Sequence, residues 1–295
     1  MPKFIVERRD DSFVDAYGVR IHYSIWSPGK PRGVVQLLHG LGEYAARYEL
    51  LAQDLVSAGY AVYADDHRGH GRTGVEQWAD DPSKLGRLGP GGLRATIDAI
   101  VQFRGIIDER HPELPVVLLG HSWGSLMAQI IFDRRRADYA GVVLTGTAYR
   151  MPWTMNPGDL NKRHRTLGDT GHEWLSRDPE VAKAFQADPL TFNATAAKLF
   201  GVRDGLRLYG RPRRGLPDVP MLIMIGSDDS LGGIRSAHRL AEQYRRRGGL
   251  TDVEVVVFEE ARHEIFNELN QAEVRARLVE WLREKVPQEP ARRIG

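Results

Sequence analysis

The sequence predicts a doubly wound α/β fold, a mostly parallel sheet with helices on both faces, interrupted by one inserted helical segment. Three observations predict it. Short apolar runs recur at 33–38, 60–64, 116–119, 142–144, 221–225 and 253–258, and most are near-continuous, as strands buried on both faces require. Between several of them, apolar residues fall three or four apart, the spacing of one helix face. From about residue 150 to 215 the rhythm stops.

In chain order, 12–15 and 20–26 flank Tyr17-Gly18 and predict an antiparallel hairpin at one sheet edge. The run 33–38 is followed by the helical stripe Tyr48, Leu51, Leu55, and the run 60–64 by Ile97, Ile100, Phe103, Ile107. After 116–119 come Met127, Ile130, Ile131, and after 253–258 come Val274, Leu278, Trp281, Leu282. A helix at about 231–247 links the last two strands; on it His238, one turn after Ile234, is expected to pack inward. Such alternation builds a doubly wound sheet through right-handed crossovers. Residues 150–215 hold five prolines and no strand-like run. That is too long for a structureless loop, so a mostly helical cap is predicted. The core is then 1–149 with 216–287, and 288–295 a frayed tail.

The 41 Lys and Arg against 39 Asp and Glu leave a net charge of +2 over 295 residues, which gives no electrostatic case for a nucleic-acid partner. The arginine runs 134–136 and 245–247 fall near predicted helix ends, where cations suit the dipole. They read as solvated faces, with phosphate binding the lesser alternative. The absence of cysteine excludes disulfides, thiolate metal sites and a cysteine nucleophile. The sequence has neither a signal-like apolar stretch at its start nor a membrane-length run, so a cytoplasmic location is expected. "HEWLS" and "HEIFN" lack the second histidine of a zinc helix, and neither metal nor cofactor is expected.

The candidate chemistry starts at "GHSWG", 120–124. A buried strand precedes it and a helical stripe follows, the context in which a Gly-x-Ser-x-Gly serine stands above a sheet on a sharp turn. Ser122 is therefore the candidate nucleophile, with a helix N-terminus beneath it to favour negative charge. A serine hydroxyl needs a base, and the base an orienting acid. His263 follows one strand, and Asp228 and Asp229 follow the strand before it, so all reach the same sheet edge. His121 should point away and pack, while His39, His67 and His70 should line the floor. In "LLHGLGE", 37–43, glycines let the loop turn N–H groups inward. The backbone N–H groups of Leu41 and Trp123 are the candidate oxyanion donors. His39, Gly40, Ser125, Trp153 and Met155 are candidate pocket residues; Met151, Leu160, Trp174 and Phe185 either add apolar cap surface or fill the cap's own core.

"HGLGE" at 39–43, "DHRGHGRT" at 66–73, "GHSWG" at 120–124, "GSDD" at 226–229 and "ARHEIFNE" at 261–268 together resemble the monoacylglycerol lipase and lysophospholipase branch of the α/β-hydrolase superfamily. Their order covers about 12–285. The resemblance implies Ser122 as nucleophile, His263 as base and Asp229, three positions after the glycine, as acid. It implies a carboxylester hydrolase acting through an acyl-enzyme on single-chain lipid esters, with transient membrane or micelle contact through the cap. Short-chain or aryl esters, amide or C–C hydrolysis, perhydrolysis, and a silent binding protein on the same fold are the alternatives. Trp123 and Ser125 depart from the smaller residues usual in that branch, which puts the acyl pocket's dimensions in question.

Overall fold

The computed structural model describes residues 8–79, 81–193 and 196–286; the expected tail at 288–295 lies outside them. β1 (Arg9–Val14) and β2 (Arg20–Trp26) form an antiparallel hairpin. Asp15 closes its turn by accepting from the N–H groups of Tyr17 and Val19. β3 (Gly33–Leu38), β4 (Tyr60–Asp65), β5 (Val116–His121), β6 (Gly141–Thr145), β7 (Met221–Gly226) and β8 (Val253–Phe258) complete one eight-stranded sheet in the order β1-β2-β4-β3-β5-β6-β7-β8. β2 joins β4 antiparallel, and every later pairing is parallel.

The continuous apolar runs face two ways, as period-two side chains must. Val34, Val116, Leu118, Met221 and Ile223 pack on one side with Ile97, Ile100 and Phe103 of α3 (Gly92–Arg110), Ile130 and Ile131 of α4 (Trp123–Asp133), and Leu240 of α7 (Gly233–Gln243). Val35, Leu37, Val117, Leu119 and Leu222 pack on the other with Leu51 and Leu55 of α1 (Glu49–Ser57) and with Leu278 and Trp281 of α8 (Gln271–Lys285). α2 (Gly71–Gln77) is a short helix after β4. Among the described residues no helix is long and apolar enough to cross a membrane.

Two expectations are corrected. His238 does not pack inward: Ser236, Ala237, Leu240 and Ala241 form the buried face of α7, and position 238 falls on its exposed side. Among the described residues the insertion is less helical than expected, with α5 (Pro179–Ala187) and α6 (Ala196–Arg207), the latter broken at Gly201. Its first part is a chain of turns held by side chains: Asn161 donates to Glu173 Oε2 at 2.7 Å, and Glu173 Oε1 accepts from the N–H and hydroxyl of Thr170. The stems of the insertion adjoin, since Gly210 N–H donates to Arg150 O at 2.7 Å.

Candidate active site

The turn from β5 into α4 is as sharp as the glycines suggest. Ser122 sits at φ 52°, a left-handed conformation that costs a non-glycine residue about 1–3 kcal/mol. Its N–H donates to Thr145 O at 2.9 Å, and its carbonyl accepts from Leu126 N–H at 3.1 Å. A Cβ on Gly124 would lie 2.3 Å from Leu38 O and 2.5 Å from His39 O, and one on Gly120 would lie 2.6 Å from Gly124 O. Backbone crowding, not flexibility, demands glycine here.

His263 Nδ1 lies 2.8 Å from Asp229 Oδ2, and Asp229 Oδ1 accepts from Leu231 N–H at 2.7 Å. Both residues are buried. Burial alone would pull the imidazole down; the Asp229 charge and hydrogen bond outweigh it and hold His263 above its ordinary value. Burial likewise raises Asp229, but His263 and Leu231 N–H bring it below the usual carboxylate range. Asp228 goes elsewhere: it pairs with Arg163 at 3.0 Å and His164 at 2.8 Å on the insertion. His263 Nε2 is buried and has no hydrogen-bond partner among the described residues, which leaves it able to take a proton. His121 does not point clear of this group; its ring lies 4.9 Å from that of His263, and burial pushes it down to about 3, so it stays neutral.

The "HGLGE" loop after β3 is fixed from below. Glu43 Oε1 accepts from Gly40 N–H at 2.6 Å and from the Tyr48 hydroxyl at 2.7 Å. Arg47 bridges Glu43 Oε2 at 2.9 Å and both oxygens of Glu264 at 2.7 and 2.8 Å, so it ties this loop to the residue after His263. Burial raises Glu43, whereas two-point contact with Arg47 overcomes burial and holds Glu264 down. A Cβ on Gly40 would come 3.1 Å from Ser122 Cβ, so the loop passes directly beside the candidate nucleophile. The N–H groups of Leu41 and of Trp123, the first residue of α4, donate to no acceptor among the described residues.

His39 Nδ1–H donates to Gly40 O, and its Nε2 accepts from His67 N–H, which fixes a neutral tautomer. The His39 ring stacks on His67 at 3.9 Å, and His67 Nδ1 meets Asp65 at 2.7 Å. His70 donates to Arg68 O, and burial pushes it down to about 3. The indole of Trp123 stacks on His70 at 5.1 Å and lies 5.1 Å from Phe200 of the insertion. The same insertion covers both sides of the site, because Phe192 N–H donates to Gly42 O and Trp174 packs 4.7 Å from the His263 ring.

Three candidate pocket residues are placed elsewhere. Ser125 is buried with its hydroxyl turned down to Ser122 O at 2.6 Å and Thr147 Oγ1 at 2.8 Å. Trp153 is 99% exposed in a tight turn, and Met155 is buried in the core cluster beside α7. From Thr147 the polar chain continues through Gln129 to Arg150 Nε, and Arg150 Nη1 reaches Leu208 O at 3.0 Å. Glu43, Arg47, Glu264 and Arg150 did not stand out in the sequence. The signals were Glu43, as the last letter of "HGLGE", and Glu264, inside "ARHEIFNE".

Comparison with known proteins places the chain among hydrolases. The family described as "Serine aminopeptidase, S33" matches residues 29–270. A monoacylglycerol lipase of Mycolicibacterium smegmatis is 32% identical over 93% of the chain and 97% of its own length. Human monoglyceride lipase is 29% identical over 87% and 84%. The crystal structure of a thermostable carboxyl esterase from Bacillus coagulans in complex with glycerol superposes with a TM-score of 0.81 at 25% identity, covering 95% of this chain and 99% of that one.

Proposed function

The chain belongs to the serine aminopeptidase, S33 family of hydrolases, and on that footing we propose that it is a serine carboxylester hydrolase acting on single-chain lipid esters such as monoacylglycerols. The observation that carries the reading is the buried His263–Asp229 pair at the same sheet edge as the strained Ser122 turn.

The Ser122 hydroxyl oxygen attacks the ester carbonyl carbon while its proton passes to His263 Nε2. The carbonyl oxygen becomes an oxyanion that accepts from the N–H groups of Leu41 and Trp123. The bond to the alcohol oxygen breaks, and His263 returns the proton to the leaving alcohol. Water then adds to the acyl-enzyme, giving its proton to His263, and the carboxylic acid leaves as Ser122 is restored. Asp229 fixes the imidazole tautomer and stabilises its charged form. Residues 150–215 act as the cap, and the enzyme works in the cytoplasm or at a membrane or micelle surface that the cap touches transiently.

A preference for shorter acyl chains is a second reading, favoured by one observation: the residue after Ser122 carries a bulky indole, packed between His70 and Phe200. A phosphonate probe combined with a panel of monoacylglycerols, lysophospholipids and aryl esters of graded chain length tests both. Absence of an adduct on Ser122 in folded protein removes the hydrolase reading. An optimum at two to four carbons, short against the roughly 14-carbon chain of a single-tail lipid anchor, removes only the lipid one.

A further inference from the structure

The proposed reaction leaves the arginines around α7 without a role. Arg235 and Arg239, with His238 between them, stand exposed on the outer face of that helix, and Arg245, Arg246 and Arg247 follow it. Two adjoining hollows of about 560 and 470 Å³ share Gln243 and Arg246. Arg235, His238, Arg239 and Glu242 line the first, and Arg214 and Arg247 the second. Glu242 is the one carboxylate there, and it pairs with Arg246 at 2.9 Å. Among the described residues no carboxylate lies within ion-pair distance of Arg214, Arg235, Arg239 or Arg247. In a chain with a net charge of only +2, this is a local excess. It is made of guanidinium groups, whose planar forks hold phosphate oxygens in pairs.

The turn carrying Trp153 is pinned to the start of the same helix. The Ser236 hydroxyl accepts from Tyr149 N–H at 2.8 Å and donates to Thr154 O at 2.5 Å, and Asn156 N–H donates to Leu231 O at 2.7 Å. The Arg239 guanidinium lies 5.9 Å over the Tyr149 ring. Trp153 thus stands at one end of the arginine face, 99% exposed and held at φ 71°. An indole is at home in the headgroup layer of a bilayer. One ring at the end of the face, rather than several set among the arginines, fits that layer better than the stacked bases of a nucleic-acid strand.

We propose that the outer face of α7, from Trp153 to Arg247, docks the protein on anionic phospholipid bilayers, with the arginines on lipid phosphates and the Trp153 indole in the headgroup layer. The surface is built on α7 and takes Trp153 and Arg214 from the two ends of the cap, and the proposal depends on neither the catalytic residues nor the substrate. Sedimentation of the full chain with vesicles of phosphatidylcholine alone, or mixed with phosphatidylglycerol, tests it without turnover of a substrate. Binding should require the anionic lipid and weaken with salt. Arg214→Gln/Arg235→Gln/Arg239→Gln should bind about 100-fold more weakly, since each basic residue near such a surface contributes roughly fivefold. Trp153→Ser should also bind more weakly, and both variants should keep wild-type turnover of a soluble short-chain ester, which shows that they fold. Equal binding to both vesicle types, no binding to either, unchanged binding by the arginine variant, or tighter binding to a single-stranded oligonucleotide than to vesicles would each overturn the proposal.

Discussion

Arg150 Nη2 lies 2.7 Å from Asp133 Oδ2, and both side chains are 4% exposed. The pair fastens the first residue of the insertion to the end of α4, whose other end carries the Ser122 turn. Removing one partner strands a buried charge, so Arg150→Met should cost about 3–5 kcal/mol in unfolding free energy. Arg150→Met/Asp133→Leu should recover most of it. Urea midpoints of the three proteins check this, and equal losses in the single and double variants would show that the charge pair is not the cause.

A general base works only as the neutral imidazole. Asp229 holds His263 above its ordinary value of 6.5, so activity should be full at high pH and fall, as pH drops, through a midpoint above 6.5. In Asp229→Asn the attraction of Asp229 is gone while burial and the more distant Glu264 and Glu43 remain, so that midpoint should move down, and kcat should fall about 10⁴-fold by analogy with another serine hydrolase. The pH profile of kcat/KM for a soluble ester measures both.

The contact of Gly124 with the end of β3 is backbone against backbone. A methyl group 2.3 Å from Leu38 O cannot be relieved by a side chain turning aside. Gly124→Ala should therefore destabilise by about 1–3 kcal/mol and displace the Ser122 turn. Differential scanning calorimetry should show a lower Tm, and phosphonate labelling should slow.

In the proposed mechanism Trp123 offers its backbone N–H to the oxyanion, while its indole packs against His70 and Phe200. Trp123→Ala keeps the donor and opens the space of the indole, so kcat/KM for long-chain esters should rise relative to short-chain ones by about tenfold or more. A uniform loss across all chain lengths would instead show that the indole holds the turn in place.

The sheet was legible because the parallel strands inside it are buried on both faces and so read as near-continuous apolar runs; all six runs became strands, half-buried β8 at the edge included. The hairpin was legible from Tyr17-Gly18. The candidate triad was legible as three loops at one edge, because strand ends fix where such loops lie. The first part of the insertion was not, since its turns rest on Asn161, Thr170 and Glu173 bonding to one another and leave no period to read. The Glu43–Arg47–Glu264 bridge was invisible for another reason: 217 positions separate Arg47 from Glu264, and nothing local marks them as partners. Trp153 and His238 show the limit of residue type as a guide. Both could have packed, and the turn and the helix phase put them outside.

The adjoining stems at Arg150 and Gly210 bear on how such a protein could change over generations. A segment that leaves and re-enters a fold at neighbouring backbone positions can be lengthened, shortened or exchanged by recombination without rethreading any strand. What must be inherited with it is the arginine at its root, because Asp133 stays behind in the core. Lineages that swap this covering for another should keep both charges or lose both together.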